Sequence, residues 1–191
     1  LGDVYKRQYL YYDYLDQLIP PSTVPSSFAG NSIQIKGTLN KIAVYDKHIY
    51  VIGNDKIYYF EDTPTNMFYL NKVWLQDGLE TIYSENNHLF IGTESSMVVV
   101  DVSSPSSPMV ISEYLHPNSC DPVYPYGNVA YITLRTGDFS GCNGDQNSLD
   151  VIDITNINIP KPIHSIAMNS PYGMSMINDH LFVLSLIHIW R

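Results

Sequence analysis

The sequence predicts an all-β protein, a partial β-propeller of about three four-stranded antiparallel blades plus the start of a fourth. Three observations lead there. An aromatic residue is followed eleven positions later by an acid, Tyr50 by Glu61 and Phe90 by Asp101, while Tyr131 reaches Asp153 across eleven further residues. The aromatics, with Phe182 as the fourth, stand 40, 41 and 51 residues apart, the spacing of a blade-like β unit. Short apolar runs alternate with polar turns, and 16 tyrosines against 10 Lys plus Arg suit half-buried pleated surfaces.

Each unit begins with a short strand: "KIAVY" from Lys41, "TIYS" from Thr81, "PVYPY" from Pro122 and "GMSMI" from Gly173. A polar turn follows, at Asp46–His48, Glu85–His88, Gly127–Asn128 and Asn178–His180. Asn, Asp and Gly tolerate the left-handed backbone that tight turns require. The second strand carries the aromatic ("IYVIG", "LFIG", "VAYIT", "LFVL"), and the third ends in the acid ("KIYYFE", "MVVVD", "LDVID"). A Pro/Ser/Asn loop then leads to a fourth strand: "KVWLQ", "MVISEYL", "PIHSIAM". Four antiparallel strands in this order form a propeller blade. The units run about 39–79, 80–120, 121–171 and 172–183 within a propeller region of 32–183.

Outside that region, residues 9–31 read as the end of an upstream strand region followed by a Pro/Ser linker, "PPSTVPSS". The two termini read differently. "DVYKRQ" (Asp3–Gln8) and "LSLIHI" (Leu184–Ile189) can be encoded by the two strands of one DNA duplex. GAT-GTG-TAT-AAG-AGA-CAG gives the first, and its reverse complement gives the second. Residues 1–8 and 184–191 therefore look like translated sequencing-adaptor sequence and are excluded from the fold reasoning.

Composition bounds the class. Hydrophobic content of 45% with 15% charged residues suits a packed domain. The net charge is −9; without Asp3, Lys6, Arg7 and Arg191, 18 acids stand against 7 bases, or −11. Such a chain repels phosphate backbones, so nucleic acid is not an expected partner. No apolar run approaches the roughly 18 residues of a membrane span.

"MVVVD" (Met97–Asp101) and "LDVID" (Leu149–Asp153) resemble the LVIVD repeat, and the tracts after them, Val102–Ser112 and Ile154–Ile163, resemble that family's "I-S-D-P-x-x-P" continuation. "NSCDPV", "YITLRTG" and "NSPYGM" are similar to segments of members from Bacteroidetes-type bacteria. The first unit departs, with Glu61 for Asp and no second proline in "TPTNMF". The resemblance implies an extracytoplasmic propeller, often lipid-anchored in the outer membrane of a Gram-negative bacterium, without an established activity.

Repetition sorts the candidate residues. Glu61, Asp101 and Asp153 sit where a strand meets its exit loop, where a carboxylate accepts hydrogen bonds from loop N–H groups. They are expected to be scaffold. His48, His88 and His180 occupy the same turn in different units, so they should not converge on a metal. Cys120 and Cys142 break the repeat. Cys120 precedes the first strand of the third unit, and Cys142 lies in its enlarged loop, Thr136–Ser148. In an antiparallel meander both loops leave from one edge, so a disulfide is geometrically reasonable, worth roughly 3 kcal/mol and implying an oxidising compartment. Two free thiols, or a metal site, are the alternatives.

The same edge carries the expected functional rim, with Asp121, Asp138, Asp145 and Tyr172 as candidate binding residues. A protein or a glycan is the expected partner. A Gly-rich phosphate loop, an H-E-x-x-H and a C-x-x-C are all missing from the sequence, so no catalytic residue, metal or cofactor is assigned. The expected role is a non-catalytic surface interaction module; the alternative is an extracytoplasmic propeller enzyme such as a glycan-processing hydrolase.

Overall fold

The computed structural model describes residues 39–53, 55–62, 67–74, 78–105, 107–117, 122–135, 146–185 and 189–190. These form four antiparallel meanders. The first sheet runs β1 (Leu39–Tyr45), β2 (His48–Gly53), β3 (Lys56–Asp62), β4 (Met67–Trp74) in that spatial order. The second runs β5 (Leu79–Glu85), β6 (His88–Thr93), β7 (Ser96–Asp101), β8 (Met109–Leu115). The third runs β9 (Val123–Tyr126), β10 (Val129–Leu134), β11 (Ser148–Asp153), β12 (Lys161–Ala167). The fourth holds β13 (Pro171–Ile177), β14 (His180–Ser185) and β15 (Ile189–Trp190). The arrangement is a partial propeller with no closed barrel. Among the described residues no helix is long and apolar enough to cross a membrane.

Each first hairpin closes through a two-residue turn, Tyr45 facing His48, Glu85 facing His88, Tyr126 facing Val129 and Ile177 facing His180. Asn86–Asn87 and Asn178–Asp179 have positive φ at both central residues, as a type I′ turn needs; Asp46 and Gly127 have it at the first alone. Residue choice at these four turns is thus dictated by backbone handedness. Beyond them the chain is tied back: Val102 N–H donates to Asn87 O at 2.8 Å and Ile154 N–H to Asn128 O at 2.9 Å, the same contact in two blades.

One feature lies outside the alternation of apolar and polar residues. In every complete blade the fourth strand carries one extra residue, at Leu70, Ile111 and Ile163, opposite the step between the second and first residues before the acid. A bulge there bends and twists the outer strand. β4 also starts at Met67, earlier than the predicted "KVWLQ", because its ladder with β3 continues through Glu61↔Phe68 to Asp62↔Met67.

Packing follows from strands buried on both faces. In β7, Val98 and Val100 join Ala43, Tyr50, Ile52, Ile57 and Tyr59 of the first blade in one core. Met97 and Val99 turn the other way and join Val123, Ala130, Ile132 and Leu134 of the third blade in a second core. Alternate residues of a single strand therefore glue two neighbours, which is why "MVVVD" tolerates no polar residue before its acid. The first strands β1, β5 and β9 come together in sequence order at the inside of the arc.

Candidate binding site at the channel mouth

The inner strands of the first, second and fourth sheets, with Pro122 and Arg135 flanking the third, line one open cavity of about 860 Å³. Its walls come from β1 (Lys41–Val44), β5 (Leu79–Ser84), Pro122, Arg135 at the end of β10, and Tyr172–Met174 of β13. Side-chain bonds lace these strands together where no ladder joins them. Ser84 Oγ donates to Val44 O at 3.0 Å, and Val123 N–H donates to Thr81 Oγ1 at 3.3 Å. Tyr83 and Tyr124 meet ring to ring, centroids 4.8 Å apart, and burial with the neighbouring phenol raises the Tyr83 hydroxyl pKa.

At one end of this channel the Arg135 guanidinium lies 3.8 Å from the centroid of the Tyr172 ring. Arg135 is only 9% exposed, whereas Tyr172 is 43% exposed. This end is the rim formed by the loops that enter first strands and join second to third strands. The pair spans two blades, so it exists only when β10 and β13 are packed together. At the corresponding step of the repeat, four residues after the aromatic, the first two units carry Asn54 and Glu94. Arg135 is therefore not part of the repeated pattern.

Tyr172, expected on the binding rim, is at this mouth. Asp121, Asp138, Asp145, Cys120 and Cys142 lie outside the described residues. Arg135 was not singled out from the sequence, although it is the sole arginine between residues 8 and 190 of an acidic chain. That isolation was the available signal.

The repeated acids do what their position implies in two blades. Asp101 Oδ1 accepts from Ser103 N–H at 2.7 Å and Ser103 Oγ at 2.5 Å, and these bonds hold its carboxyl below the usual range. Asp153 Oδ1 accepts from Thr155 N–H at 2.8 Å, and the Thr155 side chain first and this N–H second lower its pKa. Glu61 differs. Its longer side chain pairs with Lys47 of the first-blade turn, and that contact lowers its pKa. Across the second-to-third ladder, His48 faces Glu61 and His88 faces Asp101, so these histidines are ladder neighbours of the acids.

The opposite rim is also stitched between blades: Gly127 N–H donates to Glu85 Oε1 at 3.0 Å, and the Tyr126 hydroxyl donates to Asp179. A further unrepeated group is Asp150, which stands where the other blades have Tyr58 and Val98. Its Oδ1 accepts from Ser148 Oγ at 2.9 Å and Ser165 Oγ at 2.5 Å. It also acts electrostatically on Tyr114 and His116 of the second blade. Among the described residues no group of three His, Cys, Asp or Glu side chains is placed to hold a metal ion.

Comparison with known proteins agrees with this geometry. A protein from Lactobacillus plantarum superposes with a TM-score of 0.62 at 12% identity, over 78% of this chain and 48% of its own. The present chain thus spans about half the length of that protein, 48%. The computationally designed Ika4 protein superposes with a TM-score of 0.61 at 9% identity, over 82% of this chain and 92% of its own. At these identities the likeness shows fold alone. No curated protein matches the chain. The LVIVD repeat family matches residues 82–116, the span from Ile82 in β5 to His116 just after β8. Most of the second blade is thus similar to an LVIVD repeat, within a propeller-like arrangement of blades.

Proposed function

We propose that this domain is a non-catalytic interaction module that binds a protein or glycan at the channel-mouth rim. The supporting observation is the Arg135–Tyr172 pair: an unrepeated, nearly buried cation stacked on a half-exposed ring, at the edge of an open cavity lined by strands of the first, second and fourth sheets. Repeated polar residues are occupied by the scaffold, Asp101 and Asp153 capping loops and Glu61 pairing with Lys47. Rigid propellers present such unrepeated rim residues as recognition surfaces. The LVIVD repeat supports an extracytoplasmic, surface-anchored setting, where a Cys120–Cys142 disulfide would hold the long third-unit loop on the same rim.

The test is a glycan and protein-ligand array probed with the full chain, with Tyr172→Ala at the mouth and Asn128→Ala on the opposite rim. Binding lost with Tyr172→Ala and kept with Asn128→Ala supports the reading. Binding indifferent to Tyr172→Ala places the surface elsewhere, and turnover of a bound glycan makes the domain an enzyme. For the disulfide, two freely alkylatable thiols in the unreduced chain overturn that part of the proposal.

A further inference from the structure

We propose that the outer edge of β14 is a strand-accepting site, and that its ligand is an extended polypeptide segment, apolar at successive positions and ending in Asp or Glu. A short ladder is the first observation. In the complete blades the second strand pairs with the third from His48↔Glu61 to Ile52↔Ile57, from His88↔Asp101 to Gly92↔Met97, and from Val129↔Asp153 to Leu134↔Ser148. β14 pairs with β15 at Val183↔Trp190 and Leu184↔Ile189. Among the described residues, His180, Leu181 and Phe182 have a ladder partner on one side, β13.

An edge of this kind presents backbone N–H and C=O groups that template another strand. The usual protections are missing from it. The outermost strand of each complete blade is bulged, whereas β14 is regular from His180 to Val183 and its sequence, "HLFVLS", holds no proline, lysine or carboxylate. Exposure marks the same gap. Ile49, Tyr50, Leu89 and Phe90 are at most 2% exposed, but their counterparts Leu181 and Phe182 are half-buried and His180 is exposed.

Register names the ligand. Glu61 faces His48 and Asp101 faces His88, and each histidine acts favourably on its acid. Phe60 and Val100 face Ile49 and Leu89, while Tyr59 and Val99 face Tyr50 and Phe90. An antiparallel strand that brings two apolar residues and then a carboxylate to Phe182, Leu181 and His180 repeats this pattern. The segment that holds β15, Leu184–Arg191, contains no Asp or Glu, so it does not supply the acid. A second copy is a poor donor, because Met97–Val100 of its own second blade are at most 3% exposed.

The full chain is titrated by calorimetry with a peptide of the sequence Ser95–Ser104, "SSMVVVDVSS", and with a scrambled peptide of equal composition. The first should bind about tenfold or more tighter than the second, and hydrogen exchange should show new protection of the His180–Phe182 amides. Replacing Asp101 by Lys in the peptide should weaken binding about threefold or more. His180→Glu in the full chain should reverse that order, so that the Lys peptide binds better than the Asp peptide. His180 is exposed, so this variant keeps the fold. Equal binding of the scrambled peptide, no binding, or protection confined to other strands overturns the proposal. An order of Asp and Lys peptides unchanged by His180→Glu overturns the register, and with it the acid-ended ligand.

Discussion

Phe90 offers a direct measure of how the blades are glued. Its side chain is 2% exposed and belongs to the core shared with the third blade, whereas Ile52, 0% exposed, belongs to the core shared between the first and second. Trimming Phe90 to Leu removes about three carbons' worth of packed surface, so a loss of roughly 1–2 kcal/mol is expected. Val123→Ala, at a fully buried site in the same core, should cost about 2 kcal/mol, and Ile52→Val about 1 kcal/mol. Because β6 and β9 touch, Phe90→Leu and Val123→Ala should be coupled by at least about 0.5 kcal/mol. Phe90→Leu and Ile52→Val lie in the two separate cores that flank the second blade and should add within about 0.5 kcal/mol. Urea unfolding followed by circular dichroism, with all single and double variants, measures both numbers. Strong coupling across the two cores, with none inside the shared one, would refute the assignment of alternate strand residues to different neighbours.

Three further outcomes follow from individual side chains. Tyr50 is fully buried and its hydroxyl finds no hydrogen-bond partner among the described residues; burial pushes its pKa up to about 12. Tyr50→Phe, the residue the repeat uses at Phe90 and Phe182, should therefore be neutral or stabilising by up to about 1 kcal/mol in thermal melts, and a clear loss contradicts the unpaired hydroxyl. Asp101 is held below its ordinary 3.8 by the two Ser103 bonds, so its contribution is complete above that pH and lost as pH falls through the lower folded value. Asp101→Asn should flatten that acid limb of the stability curve and leave stability at neutral pH slightly reduced. His116 is held below 6.5 chiefly by burial, against the opposing pull of its carbonyl contacts and Asp150. The unfolded chain then takes up the proton first, so stability should fall as pH drops below about 6.5 towards the folded value, and His116→Gln should remove that slope.

The fold was legible because each structural demand repeats as a residue type. A strand buried on both faces must be apolar throughout, and Val98 to Val100 show this. A two-residue hairpin turn with positive φ favours Asn, Asp or Gly, and Asn86–Asn87 and Gly127 show that. The bulges at Ile111 and Ile163 were not legible, because an extra apolar residue in an outer strand leaves the local pattern unchanged and only the register moves. Glu61 was expected to be scaffold through loop N–H groups; that loop lies outside the described residues, and the partner seen is Lys47 of the neighbouring turn, which the sequence reading did not name.

The candidate site was half legible, and the reason lies in what a repeat can and cannot encode. Tyr172 stood out because the sequence places it beside a loop of predictable edge; in the structure it belongs to the start of β13. Arg135 did not, since its role depends on β13 crossing beside the end of β10, a relation between blades that no period within a blade reports. Departures from the repeat carry the missing information. The third unit places Arg135 where Asn54 and Glu94 stand, and Asp150 where Tyr58 and Val98 stand, each a charge in a position the other units leave polar-neutral, acidic or apolar. Asp150 draws two serine hydroxyls around it, Ser148 and Ser165, and Arg135 draws the Tyr172 ring. Partly desolvated charge is unfavourable unless it is met by such partners, so it persists least where only packing is required. Two charges of this kind make the third blade the one that departs most from the repeat, while the second blade, the one matched by the repeat model, packs both neighbours through alternate residues of β7.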